Sequence, residues 1–126
     1  MIVIGIGTRR GVGMQTIIDA IEMTLNLLQQ PVTPDRIASA WFKHEERGLI
    51  EAAEHLRLPV CFVEATPLEA AAHRAPSHSA RVTALVGVGS VAEAAALAEA
   101  GDNSRLLIAR QTVGDVTCAI AEGPSK

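Results

Sequence analysis

Two adjacent arginines are the residues best placed to do chemistry. Arg9 and Arg10 stand in the run Ile4-Gly-Ile-Gly-Thr-Arg-Arg-Gly-Val-Gly13, after an apolar stretch and before a helical pattern. Glycines let a backbone approach a ligand closely. The helix that follows presents unpaired N–H groups and the positive end of its dipole. With the guanidinium groups added, this is the make-up of a pocket for a carboxylate or phosphate, with Gly7, Thr8 and Gly11 as further donors. A dinucleotide fingerprint would need its third glycine one residue earlier than Gly11. It would also need an acidic residue at the end of the second strand, where Phe42-Lys43-His44 stands. No nicotinamide or other cofactor is expected.

Three further groups of residues bear on chemistry. Gly87-Val-Gly89-Ser90 reads as a second glycine turn, in which Ser90 either caps the next helix or joins Gly89 in a second anion cradle. Lys43-His-Glu-Glu-Arg47 is a charged run, read either as a solvated loop or as a contact in which Lys43 meets an acidic ligand and Glu46 caps a helix. Arg110, beside Gln111, is a weaker candidate. No nucleophile–base–acid set is visible, so Glu46, His44 and Thr8 are the weak candidates for acid–base or nucleophilic work. His73 and His78 lack further ligands nearby, and no metal site is expected.

These residues must be positioned by elements, and hydrophobic periodicity supplies them. Met1–Ile6 reads as a buried strand. Met14, Ile17, Ile18, Ile21, Leu25 and Leu28 give a helix stopped by Pro31. Thr33-Pro34 suggests one short turn, and Ile37–Phe42 a second strand. Gly48–Arg57 is a second helix and Leu58–Val63 a third strand. A short helix starts near Thr66-Pro67, and His73–Ser79 reads as a surface loop. Residues 81–86 fit helix or strand equally. Ser90-Val-Ala-Glu93 has capping-box spacing ahead of an alanine-rich helix ending at Gly101. Leu106–Ala109 and Val116–Ala121 form a hairpin about Gly114-Asp115. The β-α-β-α-β order predicts a single compact α/β domain over residues 1–122, with a tail at 123–126. Its sheet is mostly parallel, flanked by helices, with an antiparallel edge hairpin.

Bulk composition excludes several roles. The 126 residues suit one domain, and 48% hydrophobic content argues against disorder. A net charge of −3 gives no footprint for nucleic acid. No apolar run is long enough to span a membrane. The N-terminus lacks a secretory pattern, and Cys61 and Cys118 lie in apolar runs, so a reducing cytoplasmic setting is expected.

Four segments, taken in order, resemble one family. Ile4-Gly-Ile-Gly-Thr-Arg-Arg-Gly11 resembles the opening signature of the CobE family, also found as the C-terminal domain of CbiG, which opens the lactone ring of cobalt-precorrin-5A. Lys43-x-x-Glu46-x-Gly48-Leu49 resembles its lysine-containing loop. Ser90-Val-Ala-Glu-Ala-Ala-Ala-Leu97 resembles its Ser-Val-Ala-Glu-Ala-Ala-Ala segment, and Val116–Ala121 its closing strand. The likeness runs from about Ile2 to Ala121, and at this length it is to the stand-alone CobE form of the aerobic route. Thr8 stands where cysteine or serine is common, Arg47 where proline is, and Arg110 where lysine is. The resemblance implies a role in cobalamin biosynthesis on a precorrin or corrin tetrapyrrole, with other pathway enzymes as further partners. Carrying or protecting an intermediate, hydrolysing a precorrin lactone, and docking to a pathway enzyme all remain open.

Overall fold

Side chains alternate across a strand, and the first strand sorts them by size. In β1 (Ile2–Thr8), Ile4, Ile6 and Thr8 point to one face while Val3, Gly5 and Gly7 point to the other. One face is thus built to receive large side chains, the other to receive a helix at close range. The computed structural model, which describes residues 1–75 and 88–124 (88–90 as backbone), shows that division carried across the whole sheet.

The elements follow as α1 (Met14–Asn26), β2 (Arg36–Ala40), a 3₁₀ turn (Trp41–Lys43), α2 (Arg47–Leu56), β3 (Val60–Val63), α3 (Ala65–Ala72), α4 (Val88–Ala100), β4 (Arg105–Val113) and β5 (Val116–Glu122). They form one α/β domain around a five-stranded sheet of order β3-β2-β1-β5-β4. The β1–β2 and β2–β3 pairs are parallel, whereas β5 runs antiparallel to both β1 and β4. Four strands therefore share one direction, and the β4–β5 hairpin closes one side, as expected.

Helices α1 and α2 cover the face of Ile4, Ile6, Ile37 and Ile120. Helices α3 and α4 cover the face of Val3, Ala38, Ala40 and Ala121. Across that second face α4 crosses β1 at Gly5, where a Cβ would meet the Ala92 carbonyl and the Ala96 side chain. Ala92, Ala94, Ala95, Ala96 and Ala100 are buried, so the helix is narrow enough for that approach. Gly7, read above as lying past the first strand, is a strand residue; the turn proper is residues 9–13.

Other differences have local causes. β2 ends at Ala40, not Phe42, because its ladder partners run out: β3 stops opposite Ala40 and β1 pairs only as far as Ala38. α1 ends at Asn26, well before Pro31, as the Leu27 and Leu28 N–H groups bond to carbonyls three residues back and tighten the last turn. Residues 31–35 take no regular structure, so the turn expected at Thr33-Pro34 does not form. α4 starts at Val88, which puts Gly89 and Ser90 inside its first turn and not in a preceding loop. Gly87, the ambiguous residues 81–86, and Pro76–Ser79 of the expected loop lie outside the described residues. Among the described residues, no helix is long and apolar enough to cross a membrane.

Candidate functional site

The carboxyl end of β1 is where the chain changes sides. From β1 it moves outward through β2 to β3, then returns to build β4 and β5 on the other flank. Such switch points leave a crevice between the diverging loops. Here it holds a cavity of about 260 Å³ lined by Gly7, Thr8, Arg9, Arg10, Phe42, Lys43 and Val91. A larger groove, about 730 Å³, adjoins it and runs from Gly11–Gly13 across Phe42 and Glu46 to Arg47, Gly48 and Glu51. Arg10 and Phe42 border both.

The cations differ in their engagement. The Arg9 N–H donates to the Asp115 carbonyl at 3.1 Å, and its Nε lies 3.3 Å from Asp115 Oδ1. This clips the β1–α1 loop to the hairpin turn, although an exposed ion pair contributes little stability. Arg10 has no ion-pair partner among the described residues. Lys43 is mostly covered, with Nζ 3.8 Å from Glu46 Oε2.

Glu46 joins two loops. It occupies the N-cap position of α2, but its side chain does not cap that helix. Instead Oε1 accepts the Gly11 N–H at 3.0 Å, while Oε2 faces Lys43. Gly11 has φ +80, a conformation that suits glycine. Gly48, in the first turn of α2, lies against the Val12 carbonyl and brings the two loops together. Gly13 precedes α1 with no side-chain cap, so this helix keeps its positive N-terminal end.

The remaining candidates lie as follows. Thr8 is 1% exposed, and its buried Oγ1 has no hydrogen-bond partner among the described residues. His44 is exposed, just beyond the 3₁₀ turn. Gly89 and Ser90 lie in the α4 turn that leads to Val91, itself a wall of the smaller cavity. Arg110 is exposed on β4 and borders neither cavity. Its N–H donates at 3.0 Å to the buried Glu93 carboxylate, at a register shift in the β4–β5 ladder. Glu93, read above as a capping-box residue, thus ties α4 to β4. The structure therefore groups Gly7, Thr8, Arg9, Arg10 and Lys43 around one cavity, places Gly11 beside it, and leaves His44 and the Arg110 side chain apart. Sequence reasoning missed Phe42, which it placed in a strand. The available signal was that two of the three aromatics are adjacent and immediately precede the charged run.

The thiols have different surroundings. Burial pushes Cys118 up to about 12. Burial, and then the Glu99 carboxylate, also raise Cys61. Neither is poised as a thiolate at neutral pH.

The fold and its switch-point crevice place the chain in a defined class. The family model described as "Cobalamin synthesis G C-terminus" matches residues 2–121. The chain is 33% identical to Protein CobE of Sinorhizobium sp., over 98% of its own length and 80% of that protein. The crystal structure of cobalamin biosynthesis protein chiG from Agrobacterium tumefaciens has a TM-score of 0.80 at 40% identity, covering 99% of this chain and all of that one. The crystal structure of CobE, from the cobalamin (vitamin B12) biosynthetic pathway, gives 0.84 at 35% identity, covering 96% of this chain and 92% of that one. The chain belongs to the CobE/CbiG C-terminal family and is a cobalamin biosynthesis protein of that type.

Proposed function

We propose that the crevice binds a polycarboxylate precorrin or corrin intermediate, which the protein carries, protects or helps process in the cytoplasm. The observation that carries this reading is the gathering of Arg9, Arg10 and Lys43 around one cavity at the carboxyl end of β1, with Phe42 in its wall. Acidic arms on a ring would meet cations, the Gly11 loop and an uncapped helix end there. Carriage is favoured over turnover by the state of the candidate acid–base groups. Glu46 is engaged by Gly11 and Lys43, Thr8 Oγ1 has no base on it among the described residues, and His44 faces solvent.

A spectroscopic titration with a corrin polycarboxylate and its methyl ester tests the reading. The native protein is expected to prefer the free acid. Arg10→Ala and Lys43→Ala should each weaken binding by about 1.5–3 kcal/mol, the scale of a lost charged hydrogen bond. Arg9→Ala should matter less, because Arg9 is exposed and held by Asp115. Unchanged affinity in both the Arg10 and Lys43 variants overturns the assignment. Release of acetaldehyde from the precorrin lactone would establish a hydrolase instead. Capture of a pathway enzyme with no corrinoid affinity would establish a docking module.

A further inference from the structure

Two large apolar side chains stand in the open at the 3₁₀ turn, and one of them, Phe42, shares a cavity wall with the cations. Trp41 is 47% exposed and Phe42 38%. Their rings meet edge to face, with centroids 5.3 Å apart at 90°. Large aromatics are usually mostly buried, and this chain has only three. The cause of the exposure is local. β2 loses its ladder partners at Ala40, and the next three residues turn outward as a 3₁₀ turn. The Glu46 N–H donates to the Lys43 carbonyl at 3.0 Å and closes the segment after the turn. The aromatic pair is therefore carried on an ordered, hydrogen-bonded segment. Phe42 reaches both cavities, Lys43 follows it directly, and Arg10 borders the same two spaces.

We infer that the Phe42 ring, with Trp41 set edge to face against it, forms the surface on which an extended apolar ring rests, while Arg10 and Lys43 take its acidic arms. The inference builds on the proposed polycarboxylate tetrapyrrole and assigns the contacts to its ring. An aromatic face beside cations complements a ligand that is apolar at its centre and anionic at its rim. The same two residues would contribute little to a small polycarboxylate with no ring.

The test uses the native chain with a corrin polycarboxylate, and with citrate as the ring-less probe. Trp41 is the only tryptophan, so its indole N–H gives one site-specific NMR signal. Saturation with a diamagnetic corrin should shift that signal, and citrate should leave it unchanged. Trp41→Ala and Phe42→Ala should each weaken corrin binding about tenfold or more, the scale of a lost stacking contact. Trp41→Phe should restore binding to near the native value, which a general loss of folding would not do. Corrin binding that still needs Arg10, with the Trp41 signal unmoved in the complex and both alanine variants unaffected, overturns this inference and leaves the polycarboxylate reading intact. No corrin binding by the native protein overturns both.

Discussion

At the scale of single residues, the same amino-acid type performs different work at neighbouring positions. Arg9 is held by Asp115, whereas Arg10 is left to face the crevice. Arg9 and Arg10 are neighbours in sequence, so spacing alone could not rank them; only the position of the hairpin turn does. Glu46 shows the same limit. Its place before a helix suggested a cap, yet its carboxylate is directed to the Gly11 N–H of another loop. Cys118 gives a prediction that belongs to one side chain. Burial pushes its thiol up from an ordinary 9.0 to about 12. Above pH 9 the unfolded chain loses this proton first, so stability falls as pH rises from 9 toward 12. The slope approaches roughly 1.4 kcal/mol per pH unit from this group. Urea unfolding of the native chain and Cys118→Ala at several alkaline pH values should show the native stability declining more steeply. Parallel declines would refute the burial argument.

Among the elements, packing decides what periodicity leaves open. The first three strands, the hairpin and most helices were legible because their apolar residues recur at the strand or helix period. The end of β2 was not, since a strand stops where its neighbours stop, and register is a property of pairs. Nor was the role of Gly5, because a glycine needed for helix contact looks the same in sequence as one needed for a turn. At the site, the two arginines and Lys43 were visible as cations near strand ends, but Phe42 was hidden by the misplaced end of β2. One helix end yields a prediction. α2 closes with Arg57 at φ 59 and ψ 40, a left-handed conformation in a residue with a Cβ. The Leu58 N–H bonds back to the Ala53 carbonyl at 3.0 Å and requires that geometry. Arg57→Gly should raise stability by roughly 0.5–1 kcal/mol after glycine's greater freedom in the unfolded chain is subtracted. A denaturant midpoint unchanged or lowered would show that the strain is already relieved.

For the molecule as a whole, the arrangement least readable from sequence is the insertion of β5 beside β1. The two strands pair along all of β1, from Ile2 opposite Glu122 to Thr8 opposite Val116. Met1 and Gly123 extend the pairing, with the terminal amine donating to the Gly123 carbonyl at 2.8 Å. A chain cut after Val113 therefore leaves the middle strand with one bare side, and an unpaired strand edge invites association with other chains. That shortened chain should lose cooperative unfolding and aggregate; a sharp, reversible melt would refute the argument. The pairing also has a consequence for biosynthesis. The Thr117 hydroxyl donates to the Gly7 carbonyl across 110 residues of sequence. On a ribosome adding about 5–20 residues per second, the opening strand waits roughly 5–20 seconds for its mate. Until then the nascent polypeptide shows a sticky flank, open to pairing with other chains.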